Sequence, residues 1–187
     1  MVRSFDLKYS ERKSIAISVR PDGKVTVRAP SGMPYRDIKA FVESKENWIR
    51  NAIDKYKTAS GEQNTLSLYD IEQLKEKTRL LIEPKVKKYA GIIGVTYGEI
   101  KIGRAKTRWG SCSSNGNLNF NCLLALVPDR VVDSVVVHEL CHRKHMDHSD
   151  GFYRQVYAAM PDYEIHHAWL RKNGAGLIAR LYNIKED

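Results

Sequence analysis

Cysteine is scarce in this sequence: Cys112, Cys122 and Cys141 are the whole complement, no two stand as a CxxC pair, and an odd number leaves one thiol over in any disulfide scheme. That excludes a disulfide-stapled scaffold. The three read as reduced thiols, Cys141 as a small core residue, which suits a cytoplasmic protein. Long apolar runs are lacking as well. The longest are pieces such as LLALV and VVV, far short of the ~20 residues that span a bilayer, so no membrane association is expected. The opening MVRSFDLKYS puts no apolar stretch behind its basic residues, which argues against a secretory signal. No tract is repetitive or of low complexity, and no block of like charge stands out, which removes solenoids, fibrous chains and charged tails from consideration.

What is present is ordinary for a globular protein: 187 residues, 42% hydrophobic and 28% charged, enough to bury a core in one domain with a small appendage. The net charge of +9 is unevenly placed. Residues 1–60 carry 13 Lys/Arg against 7 Asp/Glu, and residues 61–187 carry 18 against 15. A basic N-terminal part suits nucleic acid, an acidic protein or a phosphorylated small molecule as partner, and it also suits a merely solvated surface.

Residues 12–30 predict a hairpin: Ile15, Ile17 and Val19 alternate with polar positions, Pro21-Asp22-Gly23 supplies the turn, and Val25 and Val27 resume the alternation. In PYRDIKAFVESKENWIRNAIDKYK, apolar residues recur at helical spacing from Ile38 to Ile53. Residues 58–65, TASGEQNT, are small and polar and read as a linker, dividing an N-terminal ββα subdomain (1–60) from a main body (66–187). The body opens with a helix over about 68–90, bent or divided at Pro84, followed by a strand at 97–103. RWGSCSSNGNLNFN predicts a hairpin turning at Ser114-Asn115-Gly116, with Trp109 as its packing anchor and Cys112 and Cys122 at its flanks. Pro128 and Asp129 announce a helix running to about residue 145, Ser149-Asp150 cap another holding Phe152, Val156 and Tyr157, and EIHHAWLRKNG forms a last helix ending at a Gly174 cap.

Within the valine-rich helix, His138-Glu139-Leu140-Cys141-His142 is an HExxH sequence. Residues four apart on a helix lie one above the other, so His138 and His142 can direct two imidazoles at one point, and Glu139 can hold a water beside a metal and accept its proton. His145 and His148 compete as third ligand. His145 shares the face of His138, and one straight helix cannot wrap three ligands around an ion. His148 follows a helix end near Met146-Asp147 and can come in from another direction, leaving a fourth position for water. Asp162 and Glu164 are alternative partners for a ligand imidazole, and His166 and His167 read as surface or core-edge packing.

RWGSCSSNGNLNFN, then a proline, a valine-rich helix, HELCH and HMDHSDGF, together resemble the YgjP-like metal-dependent hydrolases. These are a predicted zinc-metallopeptidase family related to the SprT and WLM zinc peptidases, and the resemblance extends back to RKSIAISVRPDGKVTVRAP. It implies an α+β, zincin-like metallopeptidase fold with a central HExxH helix beside a small sheet. It implies one catalytic zinc ion on His138, His142 and His148, with Glu139 as general base. It also implies that the hairpin around Gly116, Asn117, Asn119 and Asn121 is an edge strand that aligns an extended substrate. Phe152-Tyr153 stands where the family often has Phe-Trp, and only Met160 offers itself as a Met-turn, so a metzincin is not implied.

Arg108, Asn119 and Tyr153 are the candidate donors to the charge that develops in the reaction. Three functions follow. The first is peptide hydrolysis. The second is hydrolysis of a nucleoside triphosphate to release diphosphate, beside Arg104, Lys106 and Arg108. The third is a basic DNA-associated module with a structural zinc. A residue placed like Glu139 is superfluous in the third, because structural zinc is normally closed by four protein ligands.

Overall fold

The computed structural model describes residues 4–20, 22–59, 66–182 and 184. Pro21 of the expected turn and residues 60–65 of the expected linker lie outside them. The chain forms two compact units, Met1–Thr65 with Ala175–Asn183, and Leu66–Gly174 with Ile184–Asp187.

The first unit holds strands β1 (Asp6–Ser10), β2 (Ala16–Val19) and β3 (Val25–Pro30), in the order β1-β3-β2. β2 and β3 pair antiparallel, Ile17 opposite Val27, as the alternation predicts. Gly23, at φ +79°, takes the left-handed turn position between them. β1 is absent from the ββα expectation and pairs parallel to β3. Its DLKYS sequence shows no alternation because only Leu7 is half-buried there; backbone pairing, not a buried face, holds it. The single expected helix is two, α1 (Tyr35–Ser44) and α2 (Glu46–Ala59). At the break, the Ser44 hydroxyl donates to the Phe41 carbonyl (2.7 Å) and the Lys45 amide to that of Val42 (3.1 Å), side-chain competition that ends a helix. Ile38, Val42 and Ile49 still share a buried face with Val25, Val27 and Ala29.

The second unit opens on α3 (Leu68–Ile93), started by a capping box in which Ser67 and Asp70 satisfy each other's amides, and stopped by Gly94 at φ +71°. Pro84 does not divide it. The carbonyl that Pro84 leaves unbonded belongs to Leu80, which is on the exposed face where water can serve it. Strands β4 (Ile100–Gly103), β5 (Gly110–Cys112) and β6 (Leu118–Asn121) form a sheet ordered β4-β6-β5. The expected turn is present, with Gly116 at φ +83°, but β6 is the central strand and not the edge. The open strand beside the HExxH helix is β5.

A 3-10 turn (Cys122–Leu126) leads to α4 (Asp129–Cys141), buried nearly all round and packed on α3, β5 and α5 (Asp150–Ala159). α4 ends four residues before the expected point. Amides of Arg143, Lys144 and His145 turn back to Leu140 and Cys141 carbonyls, which frees the segment carrying His148 to leave the helix axis. Ser149 precedes α5 without capping it by its side chain; its hydroxyl donates to Asp147 (2.8 Å). α6 (Tyr163–Ala179) runs straight through Gly174. That glycine is no cap: a Cβ there would stand 3.0 Å from the Trp109 indole nitrogen, so it permits close packing. No helix among the described residues is long and apolar enough to cross a membrane.

Candidate metal centre

The last turn of α4 delivers His138 and Glu139, its C-terminal cap is His142, and the loop that follows delivers His148. Each histidine offers one ring nitrogen, and the three nitrogens lie within 4.8 Å of one another, with Nε2 of His138 and His148 3.1 Å apart. Phe152, at the start of α5, seats all three rings, its centroid 4.9, 4.7 and 4.9 Å from those of His138, His142 and His148.

The chemistry of this donor set fits a divalent cation. Nδ1 of His142 stands 3.0 Å from the His145 carbonyl oxygen. A carbonyl only accepts, so Nδ1 carries the proton and Nε2 keeps its lone pair. Nδ1 of His138 meets the Tyr163 hydroxyl at 3.0 Å; with Nδ1 donating to that oxygen, Nε2 keeps its lone pair. Burial drives the His138 ring down to about 3, helped by neighbouring His142, His148 and His167, and burial likewise lowers His142. Both are therefore neutral near pH 7, the form that binds metals.

Glu139 is 6% exposed, and burial pushes its carboxyl up to about 8, with Arg108 pulling weakly the other way. Its space exists because β5 begins with glycine: a Cβ on Gly110 would fall 2.6 Å from Glu139 Oε1 and 2.7 Å from Cγ. On this side of the site lies a cavity of about 210 Å³, lined by α4 (Val135, His138, Glu139), α6 (Tyr163, His167, Leu170) and the segment entering β5 (Arg108, Trp109, Gly110).

A sequence profile for the YgjP-like metallopeptidase domain matches residues 13–71 and 58–173. The chain belongs to that family. A metallopeptidase-type, metal-dependent hydrolase follows from the membership. No curated protein matches the chain. Among solved structures, the crystal structure of the metallopeptidase zymogen of Pyrococcus abyssi abylysin is similar over 49% of this chain and 93% of its own, at 21% identity and a TM-score of 0.44.

In this YgjP-like domain the other residues singled out from sequence separate into two groups. Arg108 lines the cavity; Arg104 and Lys106, its companions in the expected phosphate cluster, do not. Tyr153 stands beside His148, ring centroids 6.4 Å apart. Gly116, Asn117, Asn119 and Asn121 are outside the cavity and organise the hairpin instead. Gly116 passes so close to Arg143 that a Cβ would meet its guanidinium at 2.8 Å. Asn117 accepts from the Glu99 amide (3.0 Å), and Asn119 reaches across to Ser111 (3.5 Å). Buried Asn121 donates to the carbonyls of Ala105 (2.6 Å) and Arg108 (3.0 Å), which fixes the loop that carries Arg108.

Asp162 and Glu164 do not touch a ligand imidazole. Asp162 receives Arg130 through both oxygens (2.7 Å each), and Glu164 accepts from Tyr157 (2.9 Å). The residue between them, Tyr163, is the one that reaches His138. His145 contributes its backbone carbonyl rather than its ring. His167, expected to be packing, stacks on Tyr163 with centroids 5.1 Å apart and lines the cavity. The available signal was its position one turn beyond Tyr163, which puts both on one face of α6.

Proposed function

We infer that the protein is a zinc peptidase of zincin-like architecture, in which His138, His142 and His148 hold one zinc ion and Glu139 is the general base. The observation that carries this reading is the convergence of three imidazoles, His138 and His142 one helical turn apart and His148 from the loop that follows, beside one buried carboxyl and a strand that is open on one side. Tetrahedral zinc with bonds of ~2.0–2.1 Å sets its nitrogen ligands ~3.3 Å apart, and the 3.1 Å between His138 and His148 is close to that spacing. Among the described residues the histidine group numbers three, which supports a catalytic rather than a four-ligand structural ion.

Zinc bound there supplies a Lewis acid that polarises a substrate carbonyl and lowers the pKa of water toward about 7. Glu139 takes a proton from the attacking water as its oxygen bonds to the carbonyl carbon, and returns that proton to the amine nitrogen as the C–N bond breaks. A nearby cation favours the ionised carboxyl and so reverses what burial does to Glu139 in the metal-free protein. Arg108 and His167 are the donors that line the same cavity as Glu139 and face the developing negative charge.

β5 aligns the substrate. The Asn121 amide bonds to Trp109 O and the Ser113 amide to Asn117 O, both at 2.9 Å, so alternate residues of this strand face β6. The amide and carbonyl of Gly110 and Cys112 then point to the open side, where an extended peptide can pair with them.

The test is turnover of a peptide mixture by zinc-loaded protein and by Glu139→Gln. The expected result is a loss on the order of a hundred- to ten-thousand-fold with zinc content unchanged. Equal turnover by both proteins, or failure of the wild type to retain zinc, overturns the reading.

A further inference from the structure

We propose that the open edge of β2 and the cavity beside it form a docking groove for an extended, acidic segment of another protein, which adds as an antiparallel strand and lodges one large apolar side chain against Trp48. The groove lies wholly in the first unit and goes beyond the peptidase reading.

The backbone comes first. β1 and β2 are the two edges of the first sheet. A bare edge is a template for another chain, and charge on the strand is a usual safeguard against it. β1 carries Asp6 and Lys8, whereas β2, reading AISV, carries neither charge nor proline. The Arg20 amide bonds to the Lys24 carbonyl at 2.9 Å, so along the antiparallel ladder Arg20, Ser18 and Ala16 turn their backbone groups toward β3. Those of Ile17 and Val19 point the other way, and no strand among the described residues meets them.

Side chains then select the occupant. Ile17, opposite Val27, packs toward the face that α1 and α2 cover. A cavity of about 250 Å³ opens there, lined by Ile17, Phe41, Lys45 and Trp48. Directly opposed residues of an antiparallel pair share a face, so the incoming residue opposite Ile17 has its side chain on the cavity side. At ~30 Å³ per water the space equals about eight waters, room for one large side chain. Trp48 is 53% exposed, and tryptophan is foremost among the residues that anchor protein partners.

Charge narrows the choice further. Lys45 holds its ammonium 5.8 Å from the Phe41 ring centroid, and no carboxylate among the described residues pairs with it. Residues two apart on a strand share a face, so an acid two positions from the lodged apolar residue comes within reach of that ammonium. Residues 1–60 hold 13 Lys/Arg against 7 Asp/Glu, a balance that attracts an acidic segment and repels a second copy of the same unit. Nucleic acid has no peptide groups to pair with Ile17 and Val19, which singles out polypeptide.

The test uses full-length Glu139→Gln protein, so that the probe stays whole, and a short fluorescent peptide of serine and threonine with one central leucine and an aspartate two positions away on each side. Binding is read by anisotropy. Replacing the leucine by alanine, or Trp48 by alanine, should weaken binding at least about tenfold. N-methylation at the leucine amide should abolish binding, and at the next amide should leave it unchanged, because only alternate amides face β2. Lys45→Glu should reverse the charge preference, taking a peptide with lysines in place of the aspartates over the original. Thermal denaturation of each variant confirms an intact fold. Binding that Trp48→Ala leaves unchanged, indifference to the position of the N-methyl group, or an unreversed preference in Lys45→Glu overturns the groove. So does a single-stranded oligonucleotide, or a second copy of the chain, that binds through Trp48 where the peptide does not. None of these readouts depends on zinc or turnover, so their failure leaves the peptidase reading untouched.

Discussion

A methyl group at position 110 would occupy the space that the Glu139 carboxyl fills, since even the first side-chain carbon would stand 2.6 Å from Oε1. Gly110→Ala is thus a change outside the HExxH sequence that acts on its acid. The expected cost in stability is about 1–3 kcal/mol, typical of an overpacked interior. Peptide turnover should fall while zinc affinity is largely kept, because the three atoms nearest a Cβ at position 110 all belong to Glu139. Turnover and zinc titration on the same preparation separate the two effects; unchanged turnover would mean that Glu139 relocates without consequence. At this scale, what sequence reveals is the set of residues that helical period alone brings together. His138, Glu139 and His142 are legible because positions one and four apart have fixed geometry. Tyr163 and the His145 carbonyl are not, because each meets its imidazole only after a loop has turned.

Between elements, the placement of α4 depends on charge as well as on its valines. The Asp133 carboxylate, its side chain 5% exposed, accepts from Lys85 on α3 (2.7 Å) and from Arg130 one turn earlier (3.1 Å). Arg130 in turn clamps Asp162 just ahead of α6, next to the tyrosine that holds His138. Loss of Asp133 leaves Lys85 with Asp129 and Arg130 with Asp162, so what is lost is two charge-assisted hydrogen bonds to a buried carboxylate. Asp133→Ala should therefore lower unfolding free energy by about 1–2 kcal/mol, measured by chemical denaturation, with a smaller loss in Asp133→Asn; no measurable change would show the network to be dispensable. The same scale explains the misplaced edge. Alternating Asn and apolar residues in NLNFN say that one face of that strand is buried, and they are silent on how many neighbours it has. β4 arrives from upstream in the chain and takes the outer side of β6, which leaves β5 open.

For the whole molecule, the buried site sets a pH profile in the metal-free state. Glu139 titrates at about 8 when folded against an ordinary 4.5, so the folded protein keeps a proton that the unfolded chain releases, and stability falls as pH rises through that window. His138 has the opposite sign. At about 3 when folded against an ordinary 6.5, it refuses a proton that the unfolded chain accepts, and stability falls as pH drops through its window. Burial of His142 and His167 adds to the acid side. Metal-free protein is expected to be most stable between the two ordinary values, 4.5 and 6.5, and to weaken on both sides. Thermal denaturation in chelator checks this, and Glu139→Gln should remove the alkaline decline alone. Stability that climbs steadily through neutrality would contradict the buried carboxyl.

The amino-acid sequence by itself determined the helix that carries the acid and two imidazoles, the hairpin before it, the turn glycines and the family, because each depends on neighbours within a few positions. Only the tertiary structure decided which strand of the small sheet stays open, that Tyr163 rather than Asp162 or Glu164 supports His138, and that Gly110 and Gly174 exist to let Glu139 and Trp109 come close. Those outcomes depend on distances between segments far apart in the chain, and such distances are set by packing, which no local period encodes.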